Sequence, residues 1–198
     1  DRPVAAGRLA EVVIADQPLD TTTDPEQYGT GLIGFGRIRM HGAVVQPTFV
    51  RVSREPEAGG TTLEVDSPVS SWNPGDRLIL PGTNQPDLES YQAQWEELTL
   101  ERSSGSTLQL RAPLQFSHSG AHDATGALRF LPHVGNLSRT VVVRSANPTG
   151  TRGHVVFLHR ADVDIRYALF KNLGRTTFKP LDSTTFANGG VTHIGTNQ

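Results

Sequence analysis

Asp162 and Asp164, two positions apart in ADVDIRY, are the side chains of this chain whose type and spacing best suit catalysis. In an extended strand both point to one face, about 7 Å apart, and paired carboxylates at such separations act as general acid and base in glycoside hydrolysis. His159 and His193 could join them if neighbouring segments stack suitably. A plainer reading starts from the same alternation. Arg160 and Arg166 flank the two aspartates, and a row of cation, two anions and cation is what a solvated strand with local ion pairs looks like.

Seven histidines raise the question of metal binding, since imidazole is a common ligand. His118 and His122 are four residues apart beside Asp123, but the intervening Ser119-Gly120 argues against the helix that would bring them to one face. His118, His122, His159 and His193 are therefore weak ligand candidates, with surface histidines as the plainer alternative. Trp72, Tyr91 and Trp95 could stack on sugar rings. Trp72 precedes a tight turn and Trp95 opens a strand, which favours burial between sheets for both tryptophans. No Gly-x-Ser-x-Gly elbow supports a serine hydrolase. The string Gly29-x-Gly31-x-x-Gly34 lacks the strand-turn-helix setting of a dinucleotide site, so no cofactor is expected. Asn136-Leu137-Ser138 fits the N-glycosylation pattern, which matters only in a eukaryotic secretory pathway.

These residues need elements to hold them. From Thr140 to Gly174 three short apolar runs alternate with polar or glycine-bearing corners, and Arg160 to Tyr167 alternates with period two. Val141-Val142-Val143 recurs as Val163-Asp164-Ile165 in what reads as the next coil of a parallel β-helix. Val163, Ile165 and Tyr167 are expected inside, and Asp162, Asp164 and Arg166 outside. Upstream, Leu9 to Ile14 and Phe35 to Met40 read as strands. Residues 47–114 read as hairpins, with TLEVDSPV returning as TLQLRAPL, each strand ending at a proline and a docked aliphatic residue. Residues 87–94 could form a helical turn, and 115–139 a long connection.

The totals agree with this reading. In 198 residues, 20 glycines, 13 prolines and 19% charged residues describe tight turns between short elements, hence an all-β chain. A net charge of -2 with scattered basic residues gives no footprint for nucleic acid. No apolar run approaches a membrane span. The absence of cysteine excludes disulfides, thiolate metal sites and a cysteine nucleophile. The chain opens at Asp1 without methionine or a signal-like core, as a processed mature chain or an excised piece would.

GFGRIRMHG, the Trp-x-x-Gly-Asp turn with RLIL, LRAPL, LPHVGNLSRTVVVRS and GTRGHVVFLHRADVDIRYALFKNLGRT, taken in order, resemble a known combination. It is the G-eight (eight-glycine) domain followed by a right-handed parallel β-helix. Secreted bacterial β-helix proteins carry it, as does the animal family of cell-surface hyaluronidases and hyaluronan-binding, cell-migration-inducing proteins. The resemblance implies a tether, strand and loop over 1–30, a G-eight-like β domain over 31–139, and the first, incomplete coils of a β-helix over 140–198, with the β domain packed on the coils. It further implies an extracellular, secreted or cell-surface protein associated with polysaccharide or matrix. Similar proteins continue into further histidine-bearing coils, so this chain alone is expected to bind rather than cleave. A structural fibre or adhesin subunit is the alternative, and a glycan-cleaving enzyme ranks third. The open edge after Val191 to Ile194 is expected to be covered by further chain or by another copy, in an oligomer or fibre.

Overall fold

The computed structural model describes residues 2–18, 20, 22–24, 29–84, 93–174 and, as backbone alone, 185–187 and 190–193. Every regular element among them is a β-strand. Three strands come first: β1 (Ala10–Ile14), β2 (Gly31–Gly34) and β3 (Arg37–His41). Eight follow: β4 (Phe49–Arg51), β5 (Thr62–Glu64), β6 (Arg77–Leu80), β7 (Glu96–Ser104), β8 (Thr107–Leu110), β9 (Ala121–His122), β10 (Leu128–Phe130) and β11 (His133–Asn136). The last six are β12 (Val141–Ser145), β13 (His154–Phe157), β14 (Asp162–Arg166), β15 (Ala168–Lys171), β16 (Thr185–Ala187) and β17 (Gly190–His193). The chain forms two compact units, residues 1–43 with 139–198 and residues 44–138. The second is thus an insertion, in chain order, within the first. These limits differ from divisions at 30/31 and 139/140, because the N-terminal strands pair with the C-terminal ones.

The discontinuous unit is built of parallel β-helix coils. β12 lies on β1 with Ala10 opposite Val141, β13 lies on β2 with Gly31 opposite His154, and β14 lies on β3 with Ile38 opposite Val163, all parallel. β15 begins a third coil on β12. The expected repeat of Val141–Val143 in Val163–Ile165 is therefore corrected. Those two runs lie in different sheets of one coil, and the residues in register with Val141–Val143 are Ala168, Leu169 and Phe170. Similar apolar triplets recur within a coil because each of its sheets needs an inward face, so periodicity alone confused neighbouring faces with successive turns.

Corners between the coil strands use left-handed backbone. His159 and Arg160 take φ of 51° and 58° between β13 and β14, and Tyr167 takes 52° between β14 and β15. The glycines of the first coil make room for the second. A Cβ on Gly31 would meet the ring of His154 at 2.6 Å, so the next coil's imidazole rests over bare backbone. Gly42 leaves β3 with its amide donating to the Arg166 carbonyl at 2.9 Å, and a Cβ there would lie 2.1 Å from the Tyr167 carbonyl oxygen.

Val163 stays 39% exposed rather than inward-buried, while Ile165 and Tyr167 are half-buried. The reason is local: β14 has a strand partner on the β3 side alone among the described residues. β16 and β17 pair antiparallel. Val191–His193 thus lies in a hairpin rather than a parallel rung, and Ile194 lies outside the described residues.

The inserted unit is an antiparallel sheet in the order β4-β11-β6-β7-β8-β5. An antiparallel bridge between Val52 and Val65 joins β4 to β5, so the ladder returns on itself as a six-stranded barrel. Alternate residues fill it: Val50 and Val52, Leu63 and Val65, Leu78 and Leu80, Leu98 and Leu100, Leu108 and Leu110 are all buried. Burying each contributes roughly 1.5–3 kcal/mol. The two similar phrases face each other, since β5 and β8 pair with Leu63 opposite Leu108. Their docked aliphatics, Val69 and Leu114, are buried as expected.

Residues 115–139 are corrected from connection to structure, for they hold β9, β10 and the barrel strand β11. The inward pair of β11 is Val134 and the buried Asn136, whose Nδ2 donates to Asp76 at 2.7 Å while its Oδ1 accepts the Ser138 amide at 2.8 Å. A polar residue at a core position hides the strand's alternation. A glycan on the Asn136 nitrogen would be incompatible with its buried hydrogen bond to Asp76.

Candidate functional site

Asp162 and Asp164 do lie on one face of β14, and each is held by arginine, with His41 beside Asp164. Arg39 Nη2 donates to Asp162 Oδ2 at 2.6 Å, with Arg37 Nε 3.4 Å from the same oxygen. His41 Nε2 is 3.0 Å from Asp164 Oδ2, and Arg166 Nε donates to Asp164 Oδ1 at 2.7 Å. Three of these four partners come from β3, across the coil boundary, a contact that residue order could not reveal. The Arg39 hydrogen bond lowers the pKa of Asp162, and the Arg166 hydrogen bond lowers that of Asp164, each outweighing partial desolvation. Two ionised carboxylates in a ladder of ion pairs offer no proton to a leaving group.

The histidines separate. His118 is fully buried, with Nδ1 2.8 Å from the Pro81 carbonyl and Nε2 2.9 Å from Glu96 Oε1. Both ring nitrogens are engaged, leaving no lone pair for a metal. His122 is 3.7 Å from Glu55. His159 stacks on Phe35 at 5.6 Å and 26°, an aromatic step from one coil to the next. The side chain of His193 lies outside the described residues. Among the described residues no three histidine or acidic side chains converge as a metal site.

Of the aromatic candidates, Trp72 is 2% exposed and donates its Nε1–H to the Pro47 carbonyl at 2.7 Å, so it is core. Trp95 is corrected from the buried reading, being 51% exposed. Tyr91 lies outside the described residues.

The barrel unit carries an aromatic surface that sequence reasoning missed. Val50 and Val134 point inward, so Phe49 on β4 and His133 on β11 point outward. Their rings meet edge to face at 5.6 Å, and Phe130 at the end of β10 approaches His133 at 5.9 Å. Phe49 is 61% exposed and Phe130 55%. Two adjoining clefts border the rings, of about 390 Å³ beside Phe49 and His133 and about 290 Å³ beside Phe130. Arg51 and Asp66 line both, joined at 3.2 Å. The available signal was Phe49 itself, an aromatic residue on the polar phase of an alternating strand.

Phe130 is positioned by the β9–β10 hairpin, which turns on Asp123. One carboxylate oxygen accepts the amides of Thr125 at 2.8 Å and Ala127 at 3.1 Å and the Thr125 hydroxyl at 2.6 Å; the other accepts from Arg129 Nε at 2.7 Å. These hydrogen bonds, the Thr125 hydroxyl foremost, hold its pKa down to about 2. Arg129 is thereby occupied, as Arg51 is by Asp66.

Fold and surface together define an all-β chain in which parallel β-helix coils are interrupted by a barrel bearing an exposed aromatic cleft. No protein-family profile matches it. Fibrocystin of Canis lupus familiaris is 27% identical over 111 residues, 55% of this chain and 3% of that protein. Similar solved structures include the tailspike of Pseudomonas phage phi297, at 13% identity and a TM-score of 0.35 over 84% of this chain and 24% of that one. Another is the tailspike of Acinetobacter baumannii bacteriophage AP22 in complex with A. baumannii capsular saccharide, at 12%, 0.36, 81% and 24%. The chain thus spans about a quarter of those structures. At such TM-scores the overlays define neither ligand nor reaction, and the architecture rests on this chain's own strand pairing.

Proposed function

We propose that this chain is a polysaccharide- or matrix-associated binding module of a larger extracellular β-helix protein, with the inserted unit as a G-eight-like domain. The observation that carries the reading is the exposed Phe49–His133–Phe130 surface beside the Arg51–Asp66 pair. Apolar ring faces next to planar donors and acceptors match the mixed surface of a sugar, which shows C–H bonds on one face and hydroxyls at its edge. Trp95 offers a further exposed ring on the same unit. The test is retention of the full chain on immobilised polysaccharides. Retention that falls in a Phe49→Ala/Phe130→Ala variant supports the reading, and no retention on any polysaccharide sinks it.

A structural role in a fibre is the second reading. What favours it is the first coil, where β2 and β3 each have a strand partner on one side alone among the described residues. Unpaired rungs of this kind template further strands. Sedimentation of the full chain separates the readings, since ordered self-association without saccharide favours the fibre.

A further inference from the structure

Resting on the glycan-binding reading, we propose that the two barrel clefts are consecutive subsites for two adjacent pyranose rings of an uncharged glycan. One ring lies on Phe49 and the next on Phe130, with Arg51 and Asp66 meeting the hydroxyls between them.

The arrangement supplies each part of this. The clefts are open and adjoin, each has its own exposed aromatic ring, and they share Arg51 and Asp66 as a common border. A guanidinium and a carboxylate held side by side present donor and acceptor edges together, the complement of a pair of hydroxyls that both donate and accept.

Charge selects the ligand class. Arg51 is matched by Asp66, and Arg129 is matched by Asp123 at 2.6 Å. A uronic acid or sulfated sugar would have to displace one of these carboxylates from its cation to gain a salt bridge. An uncharged sugar leaves both pairs intact.

Strand pairing selects glycan over extended peptide. β11 lies between β4 and β6, and β4 is paired to β11 and bridged to β5. Among the described residues, no free strand edge to which a peptide could add lies beneath the Phe49 cleft.

Titration of the full chain with glucose, cellobiose, cellotetraose, mannobiose and mannotetraose, alongside a hyaluronan tetrasaccharide, tests the proposal by calorimetry and amide shifts. The expected result is a gain of about tenfold in affinity from one ring to two, little further gain at four, and weaker binding of the hyaluronan fragment. Phe49→Ala and Phe130→Ala should each lower disaccharide affinity by about tenfold, the scale of one lost aromatic contact. Both side chains point to solvent, and unchanged unfolding midpoints confirm that the variants fold. Equal affinity for one ring and two, or preference for the acidic fragment, overturns the subsite proposal and leaves the glycan-binding reading standing. Absence of saccharide binding on this panel and on immobilised polysaccharides overturns both. Binding of a Phe49-dependent peptide in place of sugar reassigns the clefts.

Discussion

His118 and Glu96 form a buried hydrogen-bonded pair inside the inserted unit. The Pro81 carbonyl can only accept, so His118 Nδ1 carries a proton and donates to it, while Nε2 faces Glu96 Oε1 at 2.9 Å. Burial works against Glu96 ionising, but the Gln115 amide at 2.7 Å, His118 and the Phe116 amide at 3.1 Å together lower its pKa. The pair fastens the chain after β8 to the start of β7. Neither residue's spacing in the sequence announces this.

Removing either partner leaves buried polar groups without their hydrogen bond. His118→Ala or Glu96→Gln should lower unfolding free energy by about 1–3 kcal/mol in urea denaturation. A loss below about 1 kcal/mol would show that the pair contributes no more than a surface contact.

Glu96 also sets a direction with pH. A carboxyl whose folded pKa is depressed stabilises fully above its unfolded value, near 4.5, and that stability is lost as pH falls through the lower folded value. Urea midpoints should therefore hold from pH 7 to about pH 5 and fall below it. In Glu96→Gln the acid-side fall should be shallower, and an unchanged slope would remove Glu96 as its source.

Asp123 predicts a more local event. Its pKa of about 2 lies below the usual 3.8, so its hold on the hairpin is complete above 3.8 and fades as pH falls toward 2. The Thr125 and Ala127 amide resonances should shift in that window, and Asp123→Ala should loosen Phe130 and weaken saccharide retention at neutral pH. Retention equal to the parent chain would disconnect the hairpin from the cleft.

Gly42→Ala should destabilise the coils by about 1–3 kcal/mol, because the obstacle is a backbone carbonyl with no rotamer to move. Thermal unfolding of the two chains side by side gives the answer.

With both aspartates of the ladder ionised and paired, the chain alone should leave hyaluronan and neutral polysaccharides at their original size. Depolymerisation that disappears in Asp162→Ala or Asp164→Ala would reverse the ranking of binding over cleavage.

The coil strands and the barrel's leucine and valine pairs were legible because period-two alternation reports a half-buried strand directly. β11 was not, since Asn136 takes a core position. Register was not legible either, for Val141 and Val163 look alike in sequence while occupying different sheets. The aspartate pair was visible as a charged row, yet its partners Arg37, Arg39 and His41 lie more than a hundred positions away and become neighbours only when one coil stacks on another. Phe49 stood on the polar phase of its strand with Arg51, but its meeting with His133 and Phe130 depends on strand pairing.

The barrel's position in the chain bears on the order of folding. β1 and β12 form one ladder although the whole barrel is threaded between them, and the Ala43 amide donates to the Thr140 hydroxyl at 2.7 Å where the chain leaves and rejoins the coils. An unfolded insert makes that closure a long loop with a correspondingly large entropic cost. Once its hairpins have formed, the same stretch acts as a short spacer. In chain order, β1, β2 and β3 meet their partners β12, β13 and β14 only after the barrel segment has been synthesised. A barrel mutation that slows its own folding should delay coil formation even where it touches no coil residue.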